Sequence, residues 1–141
     1  MLQGISKEAG PVKAVNRTKM QVLGTRVRKA RTFRERLRGL LGTKGLADGE
    51  GLWLDPCGSV HSFGMGYPID VLFLDRSGEV VGLVSSLAPN RIVRGVPGAA
   101  GALELPAGVI GATNTETGDR VEFSGFGEEA ADSGDRQERK R

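Results

Sequence analysis

The sequence predicts a mostly β fold, a compact β-sandwich or partly open barrel, with one short amphipathic helix near residues 32–41. Three observations predict it. Glycine is abundant, at 22 of 141 residues, and aromatic residues are few at 5%, which favours many turns and short elements. Short apolar runs recur between turn signals, the spacing of a sandwich or barrel. Only one segment carries a helical period.

Residues 20–30 mix apolar and basic side chains and read as a strand. Arg26 and Arg28 then share one face, and Thr25 and Val27 the other. The helix follows. Thr32 and Glu35 form a capping box. Phe33, Leu37, Leu40 and Leu41 fall at i, i+4, i+7 and i+8, one apolar stripe, and Gly42 suits the position just past the end. Gly39 inside it costs about 1 kcal/mol against alanine and points to a close approach by another element. Residues 51–54 form a short strand. Residues 71–74 are apolar on both faces, as a central strand requires. Residues 75–78 turn, with glycine last, and 79–83 return as the hairpin partner. Residues 102–105 make a strand stopped by Pro106, 107–112 a helical turn, and 117–119 a turn into the last strand, 120–123.

By length the chain is one domain, expected as a flexible leader (1–18), a β-rich body (19–124) and a disordered charged tail (125–141). The tail is almost free of large apolar side chains and has little to bury. The net charge of +3 is unevenly spread. Residues 1–38 hold 11 Lys/Arg against 2 Asp/Glu, and seven of the basic ones lie between Arg26 and Arg38. The single cysteine, Cys57, excludes an internal disulfide. No run approaches the roughly 20 apolar residues of a membrane span, and the first residues lack a secretory h-region. The expected location is cytoplasmic.

The segment from Val60 to Asp75 concentrates the candidate chemistry. It holds the only histidine and tyrosine, a Gly64–Gly66 turn, a proline and the opening of the buried strand. Histidine is the residue type whose unperturbed pKa lies near neutrality, and His61 either lines a pocket or fills a polar gap beside the turn. Asp70 either orients His61 or accepts backbone N–H bonds from the Gly64–Tyr67 turn, the commoner use of a short polar side chain. Glu104 lies between Leu103 and Leu105, so alternation turns it to the face opposite both, towards solvent or towards a pocket shared with His61. Cys57 and His61 are four apart, but structural zinc needs four ligands and only carboxylates remain to complete the set. No Gly-x-Ser-x-Gly elbow and no phosphate-cradling Gly-x-x-x-x-Gly-Lys-Ser/Thr loop is present. The basic block offers Arg26, Arg28, Arg34 and Arg38 to an anion, but no reading motif or exposed aromatic accompanies it. A solvated basic face is the simpler account.

Several ordered blocks resemble the domain-of-unknown-function 192 family, a small bacterial and archaeal domain. They are Arg36-Leu37-Arg38-Gly39-Leu40-Leu41-Gly42, Gly51-Leu52-Trp53-Leu54, the segment from His61 to Asp75, Leu103-Glu104-Leu105-Pro106-Ala107-Gly108 and Gly118-Asp119-Arg120-Val121. The resemblance implies a jelly-roll-like sandwich, makes Glu104 part of a family motif, and brings no established activity. This chain departs from the commoner form at Leu41, where methionine is frequent, at Gly64, where tryptophan is, and at Gly66, where a basic residue is usual.

No complete catalytic constellation is legible. The expectation is therefore a non-enzymatic binding module for a small molecule or protein partner. Its pocket is expected around His61, Phe63, Met65, Asp70 and Glu104, without cofactor or metal. A hydrolase-like enzyme using His61 with Asp70, and an anion or RNA binder using the Arg26–Arg38 block, are the alternatives.

Overall fold

The computed structural model describes residues 10–30, 45–62, 65–94 and 96–125. The helix expected near 32–41, Arg34, Arg38, Phe63 and the tail from residue 126 lie outside these. The described residues form β1 (Val12–Asn16), β2 (Gln21–Ala30), β3 (Glu50–Leu54), β4 (Val60–His61), β5 (Ile69–Leu74), β6 (Val80–Leu87), β7 (Ile92–Val93), β8 (Gly101–Pro106), a five-residue helix α1 (Val109–Thr113) and β9 (Val121–Ser124). The fold is mostly β, as the turn-rich composition requires.

Seven strands form one sheet in the order β6-β5-β8-β3-β2-β1-β9, and β4 pairs with β7 in a separate two-stranded layer. Within the large sheet only β2 and β3 run parallel. The sheet curls until its ends meet. Glu79 bridges Arg120, Val80 N–H donates to Asp119 O at 2.8 Å, and Val121 N–H donates to Gly78 O at 2.8 Å. Gly78 has φ +91° and a Cβ there would sit 2.5 Å from Val121 O, so this seam requires glycine.

Curling gives the sheet two unlike faces. The inner face gathers Val12, Ala14, Leu23, Val27, Trp53, Leu72, Leu74, Val80, Leu103, Leu105 and Val121, with Ile110 of α1 packed among them. Trp53 stacks at a tilt on Phe123, centroids 5.0 Å apart. The outer face gathers Ala30, Leu52, Leu54, Ile69, Val71, Phe73 and Ala102 under Val60, Met65 and Leu87. Strand β5 serves both, which is why all six of its residues are buried.

One expectation needs correction, and one layer left no signal in the sequence. The leader was set at 1–18, yet β1 lies inside it, with Val12, Ala14 and Asn16 buried. Asn16 hides the alternation because its inward position is polar. It is satisfied there: its Nδ2 donates to Thr115 Oγ1 at 2.9 Å and to Asp119 Oδ2 at 3.0 Å. Asp119 also accepts from Lys19 Nζ at 2.8 Å, and that hydrogen bond raises the lysine above its ordinary range. The β4–β7 layer is the second omission, being too short to leave a pattern.

Candidate functional site

Asp70 is fully buried on β5. It pairs across the ladder with Leu105 of β8 and so shares the parity of Leu72 and Leu74, the inner-face residues of its strand. Its carboxylate accepts three backbone N–H groups. Oδ1 takes Ser86 at 2.7 Å, and Oδ2 takes Ile110 at 2.7 Å and Gly108 at 3.1 Å. The Ser86 bond lies at a bulge, since Ile69 opposes Leu87 while Val71 opposes Val84. The other two come from the first turn of α1, whose own N-cap, Gly108, has no side chain to offer. One carboxylate thus fastens a strand bulge and caps a helix start. The expected backbone bonds are present, but their donors are Ser86, Gly108 and Ile110 rather than the Gly64–Tyr67 turn.

Glu104 points the other way. It pairs with Leu52 on β3 and with Val71 on β5, two residues of the outer-face cluster, while its neighbours Leu103 and Leu105 face inward. It is 3% exposed. Its Oε1 has no hydrogen-bond partner among the described residues. Burial alone pushes its carboxyl up to about 7. The two buried carboxyls differ sharply: Asp70 is saturated with donors and Glu104 has none on Oε1. A buried carboxyl in an apolar setting is costly unless something pairs with it.

His61 takes a third direction. Its neighbour Val60 packs into the outer-face cluster, whereas His61 itself is exposed and pairs across β4–β7 with Ile92, also exposed. The buried polar residue of this segment is Ser62. Its hydroxyl donates to Ala88 O at 2.6 Å and accepts Arg91 N–H at 2.9 Å. Met65 is buried on the Glu104 side. Of the expected pocket residues, Met65 and Glu104 therefore share a layer, while Asp70 and His61 face elsewhere and Phe63 lies outside the described residues. His61→Ala is expected to cost at most about 1 kcal/mol in a urea melt, the scale of one net hydrogen bond.

A cleft of about 980 Å³ opens at the far end of the sheet, between Trp53, Asp55, Cys57, Asp75, Arg76 and Ala100. His61, Met65, Asp70 and Glu104, the described residues expected around the pocket, do not line it. Asp75 is spent on its own turn, where Oδ1 accepts Ser77 N–H, Ser77 O–H and Glu79 N–H; these bonds, the Ser77 hydroxyl foremost, hold it below the usual carboxylate range. No group of three or more His, Cys, Asp or Glu among the described residues is placed to hold a metal ion. No helix among them is long and apolar enough to cross a membrane.

The basic block divides in the same way. Arg26 and Arg28 are exposed on β2, with Val27 between them buried. Arg26 meets Glu50 at 3.6 Å, both side chains well exposed, an ion pair of small energetic weight. Arg34 and Arg38 lie outside the described residues.

Comparison with known proteins agrees with this architecture. A Thermococcus sibiricus protein of the uncharacterised UPF0127 group is 38% identical over 114 residues, covering 77% of this chain and 73% of that one. A Novosphingobium aromaticivorans crystal structure of a protein of unknown function superposes with a TM-score of 0.69 at 24% identity, covering 79% of this chain and 83% of that one. A Sinorhizobium meliloti protein crystallised as a candidate transcription regulator superposes with a TM-score of 0.70 at 23% identity, covering 81% and 92%. At those identities the structures are similar in fold alone. Residues 14–123 match the model of the DUF192 family, described as Uncharacterized ACR, and the chain belongs to that family.

Proposed function

We propose that the protein is a non-enzymatic binding module whose ligand is held on the outer face of the sheet, with Glu104 as its polar anchor. One observation carries this reading: Glu104 is buried in an apolar layer and its Oε1 lacks a partner among the described residues. Buried polar groups without partners are rare enough in folded proteins that each needs a cause. A hydrogen-bond donor brought by a ligand is such a cause. The hydrolase alternative has less support, because both oxygens of Asp70 are engaged by backbone amides and His61 faces away from it.

A thermal-shift screen of small molecules against the wild type, Glu104→Gln, Glu104→Leu and His61→Ala tests the reading. Compounds that raise the wild-type midpoint are expected to lose their effect in both Glu104 variants and to keep it in His61→Ala. Equal shifts in all four proteins would remove Glu104 from the site.

A further inference from the structure

The part of β2 that carries Arg26 and Arg28 forms the floor of a small walled cavity. Both arginines share the parity of Ala30, which packs in the outer-face cluster. Their side chains therefore leave the sheet on one side, about 7 Å apart along the strand. Val12 opposes Val27, which sets Pro11 beside Arg28. Glu50 pairs with Arg26 across the β2–β3 ladder, and residues 45–49 lead into it. That approach is tied to the sheet. Gly49 O accepts the N–H groups of Thr25 and Arg26 at 2.9 and 2.8 Å, and Glu50 Oε1 accepts Ala47 N–H at 2.9 Å. Between these walls lies a cavity of about 140 Å³, with Pro11, Arg26, Arg28, Gly45, Leu46 and Glu50 in its lining.

The charges of this lining do not balance. Two guanidiniums stand against one carboxylate, and that carboxylate is already engaged. Its Oε1 holds the Ala47 amide and its Oε2 meets Arg26 Nη2 at 3.6 Å. Arg28 has no ion pair among the described residues. The volume falls below the roughly 300–1,000 Å³ of sites for drug-sized ligands, so the cavity suits one small group. A carboxylate offers two oxygens in one plane. A tetrahedral oxyanion offers oxygens to both guanidiniums at once, each in a charge-assisted hydrogen bond. We propose that this cavity binds a tetrahedral oxyanion of the phosphate type, held between Arg28 and Arg26. The site is separate from the Glu104 layer and does not rest on the reading of Glu104 as an anchor.

The probes are inorganic phosphate, sulfate and phenyl phosphate, with acetate as the planar control. Each is titrated by NMR into the full chain at constant ionic strength. Phosphate and sulfate are expected to saturate and to move the amides of Arg26, Arg28, Leu46 and Glu50. Acetate is expected to bind at least about fivefold more weakly. Arg28 is exposed, so Arg28→Gln keeps the fold, which its own spectrum checks. That variant is expected to weaken phosphate at least about tenfold. Glu50→Gln removes the one negative charge and is expected to tighten it. Arg76→Gln, in the cleft at the far end of the sheet, is expected to leave it unchanged. Phenyl phosphate that binds as well as phosphate assigns the site to a phosphomonoester. Phenyl phosphate that fails where phosphate binds assigns it to the free anion, and the site stands in both cases. Shifts that stay linear with concentration overturn the proposal. So does acetate binding equal to phosphate, or phosphate binding that Arg28→Gln leaves as in the wild type.

Discussion

Between about pH 5 and about pH 8 the wild-type domain is expected to lose about 3 kcal/mol of stability that Glu104→Gln keeps. Burial raises the Glu104 carboxyl from 4.5 to about 7. The unfolded chain therefore releases this proton at lower pH than the folded one does. Glu104's contribution is fully present below the unfolded value and is lost as pH rises through the folded one. The gap of some 2.5 units, at about 1.4 kcal/mol each, gives the figure. Other groups also titrate in this window, so the informative quantity is the difference between wild type and variant in urea melts across the range. Glu104→Leu should match or exceed wild-type stability at the alkaline end, because it replaces a buried charge with apolar volume. Superimposable pH profiles for wild type and Glu104→Gln would show that the carboxyl is compensated.

Removing Asp70 should act in the opposite sense. Asp70→Ala strands three amides, that of Ile110 buried and those of Ser86 and Gly108 partly so. Hydrogen bonds to a charged acceptor contribute about 1.5–3 kcal/mol each, and the losses at one site overlap. A loss of about 3–5 kcal/mol in a urea melt is expected, at the upper end for one substitution. Asp70→Asn keeps the shape but turns one acceptor oxygen into a donor facing N–H groups. About 2–3 kcal/mol is expected for it. Amide exchange at Ile110 and Ser86 should quicken in both variants before the rest of the sheet responds. A neutral Asp70→Asn would mean that α1 and the β6 bulge hold without it.

The contrast between these carboxyls shows what a sequence can and cannot yield. That Glu104 faces away from Leu103 and Leu105 was readable, because alternation is local. That Asp70 faces the other side was not, because it depends on β5 lying beside β8 with Asp70 opposite Leu105. A slip of one residue would have sent it to the Glu104 face. The doubly buried β5 was legible because its residues are apolar at every position from Val71 to Leu74. Strand β1 was not, because its inward residues are a valine, an alanine and an asparagine. The grouping of His61, Asp70 and Glu104 relied on closeness in the chain and in motif. Sheet geometry sends the three in different directions.

The seam of the curled sheet also has a bearing on synthesis. β1 pairs with β9, and Asn16 is bonded to Asp119, 103 positions further along. Early strands must therefore wait, with their apolar faces open, until the last strand has been made. Domains with such distant pairings fold slowly, and their unfinished forms are exposed to aggregation in the meantime. A chain still on the ribosome thus has β1 and β2 as an unfinished ribbon. The polar Asn16 on its inward row makes that waiting edge less adhesive than an unbroken apolar strand.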